Sequence, residues 1–106
     1  MIFKTAFISL VPDADPEKHQ CELETGVYKV YVRLISKQEE AIQVSKDLAE
    51  NEGVQSILLC PGFNHKQIAE IVRIVGKNVG ISVARGDGPG SRIAMKAMKE
   101  AGWFKA

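Results

Sequence analysis

A chain of 106 residues, 45% hydrophobic and 25% charged, has the length of one domain and enough apolar content to bury a core without disulfide staples. Fourteen Lys and Arg against thirteen Asp and Glu leave a formal charge of +1, which excludes the basic footprint of a nucleic-acid binder. Collagen-like, coiled-coil and disordered chains are excluded by composition, and no apolar run approaches the roughly 20 residues of a membrane helix.

Residues 2–11 (IFKTAFISLV) form a nearly continuous apolar run, which predicts a strand of a parallel sheet covered on both faces. Asp15 ahead of Pro16 is a carboxylate cap followed by a proline at the first helical position, predicting a short helix over 16–23. Thr25-Gly26 then turns the chain. Residues 27–35 alternate, with Tyr28, Val30, Val32 and Leu34 on one face and Lys29, Tyr31 and Arg33 on the other, predicting an edge strand with one wetter face.

Ser36 with Glu39 reads as a capping box, and Ala41, Val44, Ser45, Leu48 and Ala49 keep helical spacing up to Gly53. Residues 54–60 predict a strand with Ile57-Leu58-Leu59 as a buried run. After Pro61-Gly62-Phe63, Asn64 with Gln67 opens a helix whose stripe is Ile68, Ile71, Val72 and Val75. Residues 79–84 predict another strand, and Arg85 to Ser91 leads into a last helix with Ala94, Ala97, Met98 and Ala101 inward. Gly102 stops it before Trp103 and Phe104.

Strands alternating with helices require crossover connections. The expectation is a single α/β domain over 1–106, built on a four-stranded, mostly parallel open sheet in the order 2-1-3-4. This is half of a flavodoxin-like sheet, with helices on both faces. Ligands of such sheets bind beyond the carboxyl ends of the strands, where the order reverses. That rule brings together the bends at Val11-Pro12-Asp13 and at Cys60 to His65, flanked by Arg85 to Ser91.

Cys60 ends a strand just before a helix start, where the dipole favours a thiolate, and His65 follows five residues later. The pair is a candidate nucleophile and base; a buried apolar cysteine and a surface histidine explain the same residues. The acidic residues near His19 lack the glycine and terminal glutamate of a calcium loop, and two histidines with two cysteines make no closed zinc site, so neither metal nor cofactor is expected.

The run Gly86-Asp87-Gly88-Pro89-Gly90-Ser91 fails the dinucleotide fingerprint because Ser91 stands in the third glycine's place. It also lacks the lysine of a P-loop. Arg85 beside open amides at a helix N-terminus is suited to an anion. The candidate ligand-binding residues are therefore Asp13, Gly62, Phe63, Asn64, Arg85, Gly88 and Ser91.

Charge is polarised along the chain. Residues 13–26 carry Asp13, Asp15, Glu17, Glu22 and Glu24 against Lys18, while residues 85–106 carry Arg85, Arg92, Lys96, Lys99 and Lys105 against Asp87 and Glu100. Two solvated faces account for this, as does a basic half that attracts an anion or meets an acidic loop of a second subunit. Exposed sheet edges and the Trp103-Phe104 tail point to a homo-oligomer. Met1-Ile2-Phe3-Lys4 resembles no secretion leader and two cysteines make no disulfide framework, so the cytoplasm is the expected location, with neither membrane nor nucleic acid as partner.

Ala14-Asp15-Pro16-Glu17-Lys18-His19, Cys60-Pro61-Gly62-Phe63-Asn64-His65 and Val83-Ala84-Arg85-Gly86-Asp87-Gly88 together resemble a small prokaryotic family of single-domain α/β proteins, a domain of unknown function. In that family's pattern the third strand ends in Cys-Gly-Gly-Phe; here Pro61 stands at the first glycine, which removes the smallest residue from that approach. The resemblance implies the fold and supplies no reaction. The residues are compatible with three functions: binding of a small anionic ligand at the strand ends, an enzyme using Cys60 and His65, or a protein-interaction and assembly module.

Overall fold

The computed structural model describes residues 1–104, so Lys105 of the basic cluster lies outside the described residues. The elements are β1 (Phe3–Leu10), β2 (Gln20–Glu24), β3 (Tyr28–Ile35), α1 (Gln38–Asn51), β4 (Ser56–Leu59), α2 (His65–Val75), β5 (Gly80–Val83) and α3 (Ser91–Glu100). They build a five-stranded sheet in the order β2-β3-β1-β4-β5, in which only the β2–β3 pair is antiparallel. The four parallel strands run in the expected order; the fifth strand is a correction.

That strand replaces the helix expected over 16–23. Asp15 does cap a turn, its Oδ1 accepting from the Glu17 amide and its carbonyl accepting from Lys18 and His19, but the turn is not continued. From Gln20 onward the residues alternate with period two, and Glu22 and Glu24 stand opposite Tyr31 and Lys29 on β3. Lys29 Nζ lies 3.6 Å from both carboxylates, and Arg33 reaches Glu22 at 3.8 Å. Cross-strand ion pairs and the Thr25 hydroxyl, which accepts from the Val27 and Tyr28 amides, hold a hairpin where one isolated helical turn has no partner. β3 is therefore an inner strand, not an edge.

α1 and α2 lie on one face of the sheet, linked by Gln38 Nε2 donating to the Gln67 carbonyl and to Glu70. Both crossovers, β3 to β4 and β4 to β5, travel in the same direction, and right-handed connections then share a side. Ala6, Ile8, Tyr31, Ile35, Ile57 and Leu59 from the strands pack there against Ala41, Leu48 and Ile71. No crossover helix covers the other face, because the segment that would have supplied one is β2. The helices expected on both faces and the full burial expected for residues 2–11 and 57–59 are thus corrected: Phe3 is 50% exposed and Leu58 39% exposed. The wetter face of β3 also turns out to be the helix side, where Lys29 and Arg33 lie over the buried Tyr31 ring at 4.8 and 5.5 Å from its centroid.

Two helix starts refine the sequence reading. Asn64 and Gln67 form the expected capping box of α2. The box before α1 is displaced by one residue: Glu40, not Glu39, accepts from the Ser36 amide at 2.9 Å and hydroxyl at 3.1 Å, and Lys37 is the N-cap. No residue of α3 is buried, so Ala94, Ala97, Met98 and Ala101 do not enter the core.

Candidate functional site

The sheet's order reverses between β1 and β4, and their carboxyl ends lie side by side. The Cys60 amide extends the ladder by donating to the Ile8 carbonyl at 3.1 Å, and the Ala84 amide donates to Leu59 at 2.9 Å. The bends after β1, β4 and β5 therefore meet on one rim. A cavity of about 780 Å³ opens there, with Leu10, Val11, Cys60 and Gly62 as its floor and Met95, Met98 and Trp103 from the α3 segment across from them.

α3 reaches this position because of how it ends. Gly102 has φ of +88°, the left-handed conformation that glycine adopts without a Cβ penalty. Its amide donates to the Lys99 carbonyl, and the Trp103 amide donates to Met98 at 3.0 Å, closing a Schellman turn. The turn brings Trp103 back beside Met98, and both line the cavity. The loop before α3 is held against the floor by a close approach: a Cβ on Gly86 would stand 2.7 Å from the Pro61 Cβ. Pro61, the departure from the family pattern, thus packs against the other loop's glycine.

The two helix N-termini at this rim differ. At α2 the Asn64 side chain takes the Gln67 amide at 2.8 Å, and the Gln67 side chain takes the Asn64 amide at 2.9 Å, so its own residues close it. At α3 the N-cap is Gly90 and no side chain of the described residues caps it; the Ser91 amide donates to the Gly88 carbonyl at 3.1 Å, which leaves the Arg92 and Ile93 amides as the open ones of the first turn. Arg85, at the cavity mouth, donates from Nε and Nη2 to the two carboxylate oxygens of Asp87, each at 3.0 Å. This fork holds the Asp87 carboxyl below its ordinary range and raises the guanidinium's pKa. Among the described residues Nη1 makes no hydrogen bond, which leaves one face of the guanidinium for a ligand.

Of the candidate residues, Cys60, Gly62, Arg85, Gly88 and Ser91 line this cavity. Asp13 is exposed beyond it, Phe63 is in the core, Asn64 is spent on its cap, and His65 is exposed on the first turn of α2. Cys60 is buried and its Sγ accepts from the Leu10 amide at 3.3 Å; among the described residues no hydrogen bond joins it to His65. His19 Nδ1 accepts from the Asp15 amide, and no group of three His, Cys, Asp or Glu side chains gathers among the described residues. Nor is any described helix long and apolar enough to cross a membrane.

Sequence reasoning missed Leu10 and Met95 as cavity lining. The available signal was Gly102 directly before an aromatic residue, the pattern of a helix end that folds a large side chain back over its last turn. Comparisons with curated proteins and with solved structures return no match. The model of a family described as a family of unknown function (DUF6506) matches residues 3–99, nearly the whole α/β unit with its rim loops, and the chain belongs to that family.

Proposed function

We propose that the protein binds a small molecule with an apolar body and an anionic end in the cavity at the strand ends. The observation that carries this reading is the composition of the wall: mostly aliphatic, methionine and aromatic side chains, with the hydroxyls of Ser9, Ser36 and Ser91 and, as its one charged residue among those described, Arg85 beside the start of α3. An apolar cavity with a few convergent polar groups is the usual form of a small-molecule site. The basic residues Arg92, Lys96 and Lys99 on α3 favour a negative ligand electrostatically. Both cysteines are free, which suits a reducing cytoplasmic setting.

Trp103 is the single tryptophan, so its fluorescence reports occupancy directly. Medium-chain and aromatic carboxylates, titrated against their neutral amides, are expected to change Trp103 emission with the acids binding more tightly. Arg85→Ala should weaken the acids about tenfold, the scale of one charged hydrogen bond, and leave the amides unchanged. Asp87→Ala should strengthen the acids by freeing the guanidinium. Silence across the whole panel sinks the cavity as a site; equal binding of acids and amides sinks its anionic end.

A further inference from the structure

The strand register divides the sheet's side chains into two sets. On the helix side stand all the charged strand residues: Lys4, Glu22, Glu24, Lys29 and Arg33. The opposite face carries no charge at any strand position. Its apolar part includes Phe3, Phe7, Leu23, Tyr28, Val30 and Leu58, continued by Val32 and Leu34, and the rest is small or hydroxyl residues. Leu23 is 68% exposed there.

Two of the hydroxyls on this face satisfy each other. Tyr28 Oη and Thr5 Oγ1 share a hydrogen bond at 2.6 Å, and the Tyr28 ring packs on Phe3 at 5.9 Å between centroids. A solvated sheet face normally alternates in charged residues; this one has the composition of an interior. A shallow groove of about 300 Å³ runs along it between Phe3, Tyr28 and Leu58.

We infer that this face binds the same face of a second copy, forming a two-fold dimer whose sheets pack against each other. Strands of eight, five, eight, four and four residues tile roughly 460 Å² at about 3.3 Å rise and about 4.8 Å spacing. Two such faces bury about 900 Å² in flat projection, and side-chain relief carries the accessible area past the roughly 1,000 Å² from which specific interfaces start. An uncharged face has no like-charge repulsion against its own copy, which an isologous contact requires. The cavity beyond the strand ends meets this face at Ser9 alone, and the dimer does not depend on its ligand.

Sedimentation equilibrium between 1 and 100 µM is expected to give a mass twice that of the chain. Leu58→Glu and Leu23→Lys should each yield a monomer with an unchanged far-UV circular dichroism spectrum. Val72→Glu, an exchange at an exposed apolar residue of α2 on the helix side, should remain a dimer. If Leu58→Glu does not fold, Leu23→Lys on the edge strand decides. A wild type that is monomeric at 100 µM overturns the inference, whether or not it co-sediments with phosphatidylcholine vesicles. A dimer that survives both face substitutions overturns it too.

Discussion

Gly86 and Pro61 set the mouth of the cavity at the scale of single atoms. Pro61 Cβ occupies the space that any side chain at 86 would need, and the proline ring has little freedom to withdraw. Gly86→Ala is therefore expected to lift the Arg85 loop from the floor and cost about 1–2 kcal/mol in guanidinium unfolding, the range of modest overpacking. Pro61→Gly should remove the conflict, so that Gly86→Ala costs under about 0.5 kcal/mol in that background, a coupling that a double-mutant cycle measures. Equal costs in both backgrounds would show that the two loops do not touch. Arg85, Gly88 and Ser91 were legible as rim residues because glycine, proline and a helix start are local signals. The same bends suggest Asp13, Phe63 and His65, but Phe63 is buried in the core and Asp13 and His65 are exposed outside the cavity lining, a distinction no spacing rule supplies.

Among the elements, β2 and α1 show how much a start signal can decide. Asp15-Pro16 is a sound helix start, and the structure honours it for one turn. Beyond that turn the conformation is set by Glu22 and Glu24 finding Lys29 and Arg33 across a hairpin. A long-range pairing of this kind is invisible in a window of eight residues, whereas the α2 cap and the parallel strand order rest on local pattern and right-handed crossovers and were both legible.

At α1 the Ser36 amide, foremost, and then its hydroxyl hold the Glu40 carboxyl below the ordinary carboxylate range. A group with a lowered folded pKa contributes stability that is complete above its unfolded value and disappears as pH falls through the folded one. Glu40→Gln keeps an acceptor but loses the charge. It should unfold at lower urea than wild type at pH 7, with the difference closing as the pH drops below the ordinary carboxylate range. A gap that stays constant from pH 7 to pH 3 would rule out the charge as its source.

At the scale of the molecule, the core and the cavity are supported unequally. β1, β3, β4, α1 and α2 share one buried cluster, while α3 contributes no buried residue and leaves Ile93 75% exposed. The walls of the proposed site are thus one rigid floor and one helix held by its Schellman turn, Trp103 and the Gly86 contact. Local stability scales with buried apolar contact, so the α3 segment should open without the rest of the chain. Native-state hydrogen exchange is expected to show the amides of 94–100 exchanging at least about tenfold faster than those of Ile57, Leu59 and Leu48, through an opening that low urea barely affects. A carboxylate that fills the cavity would bind only the closed form and should slow exchange in α3 while leaving β4 unchanged. Protection of α3 equal to that of β4 in the free protein would mean that the helix is part of the cooperative core, and the site would then be a fixed pocket with no closing wall.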